Sequence, residues 1–180
     1  MKTGETVSRE LAYQGHIFSV RRDRVLLEDG VPHLREVVEH GPAVCVLPVD
    51  GNGDTVLVEQ YRHPVGQYVL EACAGGMEPE ETPFAAAVRE LKEETGLVGR
   101  DWRSLGAYLP SPGYCDEVIH LFFCRVDRQE TPTPDGDEFL SVRTFSLEEA
   151  ARMVLDGRIQ DGKTVGIVLK VQALSTAGRL

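Results

Sequence analysis

One stretch of the chain, from Thr82 to Gly96, combines clear helix boundaries with an unusual set of acidic residues. Thr82 is a typical N-cap residue, Pro83 suits the first helical position, and Gly96 suits the residue after the last turn. The sequence therefore predicts an amphipathic helix whose apolar stripe packs into a core. This stripe consists of Phe84, Ala87, Val88 and Leu91.

Three carboxylates share one narrow face of this helix. Glu90, Glu93 and Glu94 stand at positions i, i+3 and i+4, beside the apolar stripe. Helix stability does not explain them, because like charges four residues apart repel and the last turn favours cations. A hard divalent cation would supply the missing positive charge, and oxygen ligands suit Mg²⁺ or Mn²⁺. From helix physics alone, a metal site and a solvated acidic face remain equal alternatives.

Composition and charge narrow the class of protein. The 180 residues are 42% hydrophobic and 27% charged, which is typical of one globular domain with a sizeable core. The net charge of −10 argues against a protein that tracks a nucleic-acid backbone. No apolar run reaches the length of a membrane span, and the N-terminus lacks a signal sequence. We therefore expect a cytoplasmic protein with no nucleic-acid or membrane partner, and reduced thiols at Cys45, Cys73, Cys115 and Cys124.

The remainder of the chain is mainly β-rich. Strands are predicted at residues 16–20, 24–27, 34–39, 43–49, 55–61, 68–72, 103–109, 117–126 and 139–145. The turn sequence at 50–54 predicts a hairpin. A second helix is expected from the capping box at Ser146 to Gly157, and a third over residues 163–174. The acidic segment 127–138 is long for a strand connection, which is typical of a lid or binding loop as often as of an idle connector.

The stretch GGMEPEETPFAAAVRELKEETGL resembles the Nudix box, the loop-helix-loop motif of Nudix hydrolases. The matching positions are Gly75, Glu81, Arg89, Glu90, Leu91, Glu93, Glu94, Gly96 and Leu97. The resemblance implies a mixed α/β fold, a sheet packed between helices as an αβα sandwich, preceded here by an N-terminal antiparallel β segment. It also implies hydrolysis of a nucleoside diphosphate linked to another group, with two or three Mg²⁺ ions as cofactors, or Mn²⁺.

The same resemblance assigns roles to individual residues. The metal ligands it implies are the carbonyl of Ala74 and the carboxylates of Glu90, Glu93 and Glu94. It further implies that Glu93 supports catalysis and that Glu81 and Arg89 orient the ligands. Arg89 lies four residues before Glu93, so it could hold that carboxylate through a fork of N–H donors.

Beyond the box, the chain resembles the ADP-ribose pyrophosphatase group over nearly its whole length. The segments that carry this resemblance are 37–40, 59–62, 70–75 and Ser111-Pro112-Gly113-Tyr114-Cys115-Asp116-Glu117. The substrate-binding residues expected from it are Arg62, Glu71, Tyr114 and Glu117. Three of them have a plainer alternative: Arg62 could be a surface residue, Tyr114 could serve packing, and Glu117 could cap a turn.

In this group a glutamate on the loop before the last strand positions or deprotonates the attacking water, and Glu138 is the candidate here. Related loops often read Asp-Glu-Asp-Glu, whereas this chain has Gly136 in place of one carboxylate. Glu80 is a second departure, because a glycine often precedes the box glutamate. The first departure leaves the identity of the catalytic base open.

The resemblance thus predicts hydrolysis of ADP-ribose to AMP and ribose 5-phosphate. One alternative is another nucleoside diphosphate sugar such as GDP-mannose, and another is a catalytically idle module that senses a nucleotide. The expected organisation is an N-terminal β segment over residues 1–42 and a Nudix domain over 43–180. The N-terminal strands look too few to be stable alone, so we expect them to form a homodimer.

Overall fold

The computed structural model describes residues 4–133 and 139–180. The chain folds into two compact units. The first comprises the chain up to Pro42 together with Leu109–Val118, and the second comprises Ala43–Tyr108 with Ile119–Leu180. Each unit is described by itself below.

The first unit is an antiparallel sheet in the order β1-β2-β3, formed by β1 (Glu5–Gln14), β2 (Phe18–Leu26) and β3 (Pro32–His40). The segment Leu109–Val118 joins it through β3, since Val38 donates its N–H to the carbonyl of Tyr114 at 2.7 Å and accepts from Asp116 at 3.1 Å. Strand β1 was not predicted from the sequence. All ten of its residues are exposed, so they lack the alternation that identifies a half-buried strand.

The second unit is built on one mixed sheet with the order β10-β5-β4-β9-β8, in which β6 pairs with β5 and β7 with β4. Strand β4 runs parallel to β9, and the other pairings are antiparallel. The strands are β4 (Ala43–Val49), β5 (Asp54–Arg62), β6 (Gln67–Glu71), β7 (Cys73–Gly76), β8 (Leu97–Tyr108), β9 (Ile119–Gln129) and β10 (Ser141–Ser146). A 3-10 turn covers His63–Val65.

In the part of the chain that the structure describes, three helices cover the two faces of this sheet: α1 (Pro83–Thr95), α2 (Leu147–Leu155) and α3 (Gly162–Thr176). Every residue of β4 is buried, and its side chains alternate between two cores. Val44 and Val46 pack with Leu91 of α1, whereas Leu47 packs on the opposite face with Ile167 of α3. This arrangement confirms the predicted αβα sandwich with an N-terminal antiparallel segment.

Three predicted helix boundaries are confirmed, at Thr82, Gly96 and Ser146, whereas α2 ends at Leu155 and not at Gly157. Thr82 accepts a hydrogen bond from the N–H of Ala85 at 3.2 Å, and Ser146 accepts one from Glu149 at 3.1 Å. Gly96 ends α1 in the left-handed conformation, with φ 70°. Capping chemistry acts within one turn, which is why the sequence alone places these ends correctly.

The face of α1 that points into the core differs from the prediction. Phe84 and Val88 are 49% and 38% exposed, although both were assigned to the buried stripe. Phe84 instead makes an edge-to-face contact with Trp102, with ring centroids 5.6 Å apart. The buried face is rotated toward the acidic residues, and it consists of Ala86, Ala87, Glu90, Leu91, Glu94 and Thr95.

Several strand predictions also need correction. The hairpin at residues 50–54 forms, but β4 and β5 share only the pair Val49–Thr55 before β7 and β6 take over as their partners. Strand β7 was not predicted, because its Cys-Ala-Gly-Gly sequence carries no β signal. Strand β9 continues to Gln129, so the connection to β10 begins three residues later than expected.

The left-handed glycines allow a test of how tightly the end of α1 is packed. Gly157 has φ 80° and open space around the position of a Cβ, whereas a Cβ on Gly96 would overlap the carbonyl oxygen of Glu130. We expect Gly157→Ala to cost ~1–2 kcal/mol from backbone strain alone. Gly96→Ala should lose a further ~1–3 kcal/mol from the overlap. Urea unfolding of both variants measures the difference, and equal losses would contradict this account.

Candidate active site

The guanidinium of Arg89 organises the acidic face of α1. Its Nε and Nη2 donate to the two carboxylate oxygens of Glu81 at 3.0 and 2.9 Å. Its Nη1 donates to Glu90 at 2.7 Å and to Glu93 at 3.0 Å. Nη2 also donates to the carbonyl oxygen of Gly76 at 2.9 Å. The predicted contact between Arg89 and Glu93 is therefore present through a single nitrogen, while the fork of donors holds Glu81.

This geometry has a clear electrostatic consequence for Glu81. The hydrogen bonds from Arg89, helped by the backbone N–H of Glu78, lower the pKa of Glu81 below its usual value. In return, the hydrogen bond to Glu81 is the largest cause of the raised pKa of Arg89. Glu81 therefore stays ionised at neutral pH and keeps the arginine in place.

Glu90 lies against strand β7 at Gly75. Its side chain is buried, and a Cβ on residue 75 would overlap its carboxyl group. Only glycine leaves room for this close approach of a carboxylate to the backbone, which explains why the motif has Gly75 at this position.

Glu94 is hydrogen-bonded to the same strand one residue earlier, at Ala74. It is 4% exposed, and its carboxylate accepts the N–H of Ala74 at 3.2 Å. Burial raises the pKa of the neighbouring Cys73 thiol well above its usual value, with a contribution from the negative charge of Glu94. The carbonyl group of Ala74, which the sequence analysis proposed as a ligand, thus lies next to an amide that Glu94 already holds.

The donor groups in this region are all oxygens, which suits a hard divalent cation such as Mg²⁺. The close approach of Glu90 to Gly75 brings a carboxylate to the backbone that carries the Ala74 carbonyl. Within residues 4–133 and 139–180, no group of three or more His, Cys, Asp or Glu side chains is arranged so that it could hold a metal ion by itself. The residues fit a metal by the chemistry of their donor atoms, and the guanidinium of Arg89 supplies positive charge among them.

A second network surrounds Arg62 at the end of β5. Nε of Arg62 donates to Glu71 Oε1 at 2.7 Å and Nη2 to Glu71 Oε2 at 2.8 Å. Lys163 of α3 donates to the same carboxylate, and to Asp161 at 3.0 Å. Burial by itself raises the pKa of Glu71, but Arg62 and Lys163 outweigh it and bring the pKa below its usual value.

Two further predicted substrate residues belong to the first unit. Tyr114 is exposed, with its carbonyl held by Val38. Glu117 is half-buried, with a carboxylate oxygen 3.6 Å from Nδ1 of His40. Glu138 lies outside the residues that the structure describes. The roles assigned to all three remain predictions.

The sequence analysis missed Lys163 and Asp161. Asp161 could have been recognised as an N-cap, since it precedes the third predicted helix and accepts the N–H of Thr164 at 3.0 Å. Lys163 gave no such signal, because its partner Glu71 is 92 residues away in the sequence.

Comparison of the sequence with models of known protein families identifies the family that has this fold and this acidic helix. A NUDIX domain model matches residues 39–165, and the chain belongs to the Nudix family. Residues 5–38 match a model described as the nucleoside diphosphate sugar hydrolase N-terminal domain. The family predicted from the sequence is therefore confirmed.

In the described part of the chain, no helix is both long and apolar enough to cross a membrane.

Individual relatives cover most of the chain. It is 35% identical over 170 residues to a methanol dehydrogenase activator of Bacillus methanolicus, covering 93% of this chain and 92% of the relative. It is 37% identical over 177 residues to an ADP-ribose pyrophosphatase of Mycobacterium tuberculosis, covering 96% and 84%. A GDP-mannose pyrophosphatase of Klebsiella pneumoniae is 36% identical over 160 residues, covering 82% and 78%.

A solved structure described as an ADP compounds hydrolase superimposes with a TM-score of 0.87 at 22% identity, covering 100% of this chain and 98% of that one. At this identity the match is evidence for the fold alone, and it confirms the Nudix-type architecture.

The buried Glu71 network predicts a pH dependence of stability. Glu71 has a lower pKa folded than its ordinary value of 4.5, so its contribution is present above that pH and is lost as the pH falls through the folded pKa. We expect the free energy of unfolding to fall below about pH 4.5, and to fall less steeply in Glu71→Gln. Urea unfolding between pH 3 and 7 (roughly the range over which carboxylates titrate) measures this, with each protein referred to its own value at pH 7. Identical slopes for the two proteins would contradict the assignment.

Proposed function

We propose that this chain hydrolyses the diphosphate of ADP-ribose to AMP and ribose 5-phosphate in a Mg²⁺-dependent reaction. The observation that carries the proposal is the set of carboxylates on α1 that Arg89 and the backbone of Ala74 hold in place. The high coverage of an ADP-ribose pyrophosphatase supports the choice of substrate.

The metal ligands in this proposal are the Ala74 carbonyl and the carboxylates of Glu90, Glu93 and Glu94. When bound, two or three Mg²⁺ ions would neutralise the diphosphate and lower the pKa of a water molecule, and Mn²⁺ could replace them. Arg89 restrains the carboxylates of Glu90 and Glu93 on one face of α1, which reduces the freedom they would lose on binding a metal.

The substrate is bound by groups outside the acidic helix. Arg62 is 43% exposed along its side chain and presents guanidinium N–H groups suited to phosphate oxygens. Glu71 contributes through Arg62, because its own carboxylate is buried. Tyr114 and Glu117 are proposed for the nucleoside or ribose, and Glu138 for accepting a proton from the attacking water. Water adds to one phosphorus, the bridging P–O bond breaks, and the released phosphate leaves as a monoester.

A panel of nucleotides tests the choice of substrate. ADP-ribose, GDP-mannose and other nucleoside diphosphate sugars are assayed with Mg²⁺ and with Mn²⁺, and phosphate monoesters are quantified. We expect the highest kcat/KM for ADP-ribose. A preference for GDP-mannose would favour the alternative, a GDP-mannose hydrolase. The comparisons support this alternative less strongly, because the GDP-mannose pyrophosphatase covers less of this chain than the ADP-ribose pyrophosphatase does. Tight binding with no turnover on any substrate would favour the idle sensing module.

Two variants separate metal binding from water activation. Glu94→Gln should lower kcat roughly a hundredfold or more, because a ligand to the cation is lost. Glu138→Gln should also lower kcat, by ~10²-fold or more, while the Mg²⁺ concentration for half-maximal activity stays unchanged. Glu80→Gln, on an exposed turn of the same motif, is the control and should behave as the unmodified protein. Full activity in Glu94→Gln would reject the metal assignment, and in Glu138→Gln the base assignment.

We also propose that the protein is a cytoplasmic homodimer. The motivation is the first unit, where β1 is entirely exposed and large apolar side chains reach solvent, among them Leu11, Ile17 and Leu34. Analytical ultracentrifugation at working concentration tests this, and a monomeric mass would reject it.

A further inference from the structure

A buried lysine at the start of α3 completes the network that holds Arg62. Nζ of Lys163 donates to Oε2 of Glu71, the oxygen that also accepts Nη2 of Arg62. We propose that Lys163 is a positioning residue that sets the orientation and effective charge of Arg62 for binding the substrate diphosphate. This inference rests on the proposed function, in which Arg62 contacts the diphosphate.

Burying the charged ammonium group of Lys163 costs free energy unless carboxylates nearby compensate its charge. The side chains of Lys163 and Glu71 are 13% and 4% exposed. An unpaired charge at this depth is strongly unfavourable, and removing one partner of a buried pair leaves the other uncompensated. Burial alone lowers the pKa of Lys163, but Glu71 and Asp161 raise it above its ordinary value, so the ammonium group stays charged.

The charge balance explains what Lys163 does for Arg62. Two cations, Arg62 and Lys163, face two carboxylates, Glu71 and Asp161. If Glu71 had Arg62 as its sole partner, the two would form a closed pair in which the guanidinium is neutralised. Because Lys163 shares Oε2 of Glu71, part of the positive charge of Arg62 remains available. Glu71 occupies Nε and Nη2, so among the described residues Nη1 has no hydrogen-bond partner, and it is the nitrogen that would meet a phosphate oxygen.

Lys163 is itself held at a fixed place relative to the sheet. Thr164, the next residue, donates its hydroxyl to Asp161 at 2.5 Å and accepts the N–H of Ala72 at 2.8 Å. Ala72 lies two residues before Ala74, whose carbonyl is a proposed metal ligand. The start of α3 is therefore tied to the backbone that leads into the acidic motif. Arg62 and Lys163 also line one cavity of about 340 Å³.

Substitutions at Lys163 test the proposal in the intact protein. Lys163→Met should raise the KM for ADP-ribose about tenfold, the expected effect of weakening one charge-assisted hydrogen bond. Its kcat and its half-saturating Mg²⁺ concentration should change less than about twofold, because the acidic helix is untouched. Lys163→Arg, which keeps the charge, should recover most of the lost affinity. Lys170→Met is the matched control, since Lys170 lies on the same helix and donates to the carbonyl of Leu105.

A double-mutant cycle with Arg62→Met decides whether Lys163 acts through Arg62. If it does, Lys163→Met raises KM in the unmodified protein and has little further effect once Arg62 is replaced. Additive effects would overturn the positioning role and leave the function of Arg62 intact. A normal KM in Arg62→Met would remove Arg62 from the diphosphate site, and the inference about Lys163 with it. The proposed function itself would fail if the unmodified protein turned over none of the nucleotides in the panel.

A folding defect in Lys163→Met would not end the test. The double variant Glu71→Gln/Lys163→Met removes both charges of the buried pair, which is far less costly than removing one. Its KM should still rise, because Arg62 loses the carboxylate that orients it. An unchanged KM in this folded variant would overturn the proposal.

Discussion

The hydrogen bonds of one guanidinium, that of Arg89, determine the arrangement of the acidic helix. All three of its nitrogens are engaged, with Glu81 and Gly76 on one side and Glu90 and Glu93 on the other. A guanidinium can do this because its donors are rigid and planar and point in several directions at once. One positive charge nevertheless faces three carboxylates, so a net negative charge remains on a partly buried surface. In the proposed function, a bound divalent cation would offset that imbalance.

The position of α1 depends in turn on features that can be traced to single residues. Gly75 allows the carboxyl group of Glu90 to approach the backbone of strand β7. Gly96 ends the helix at a position where a side chain would meet the carbonyl oxygen of Glu130. The burial of Glu90 and Glu94 rotates the helix, which leaves Phe84 and Val88 half-exposed. Hydrophobic periodicity placed Ala87 and Leu91 in the core correctly, but it also placed Phe84 and Val88 there. The helix thus gives up apolar burial in favour of the acidic groups.

Features that depend on residues close together in the sequence could be predicted, whereas features that depend on distant residues could not. Helix ends depend on neighbouring residues, and Thr82, Gly96 and Ser146 were assigned correctly from them. The nine spaced positions of the acidic motif identified the family, and with it the αβα fold. Strand β1 escaped prediction because it is exposed along its whole length. The partner of Lys163 could not be predicted, since no local pattern connects α3 with Glu71.

The two arginine networks of the second unit differ in charge, and the difference assigns them different partners. Around Arg89, carboxylates outnumber cations, so that region favours a divalent ion. Around Arg62, Lys163 balances the carboxylates, and the half-exposed guanidinium can accept an anion without leaving Glu71 unpaired. A diphosphate with its magnesium ions carries both kinds of charge. Cleaving such a substrate requires cation and anion to be held at once by groups that do not neutralise one another beforehand. In the proposed function, the separate carboxylate partners of Arg62 and Arg89 would meet that requirement.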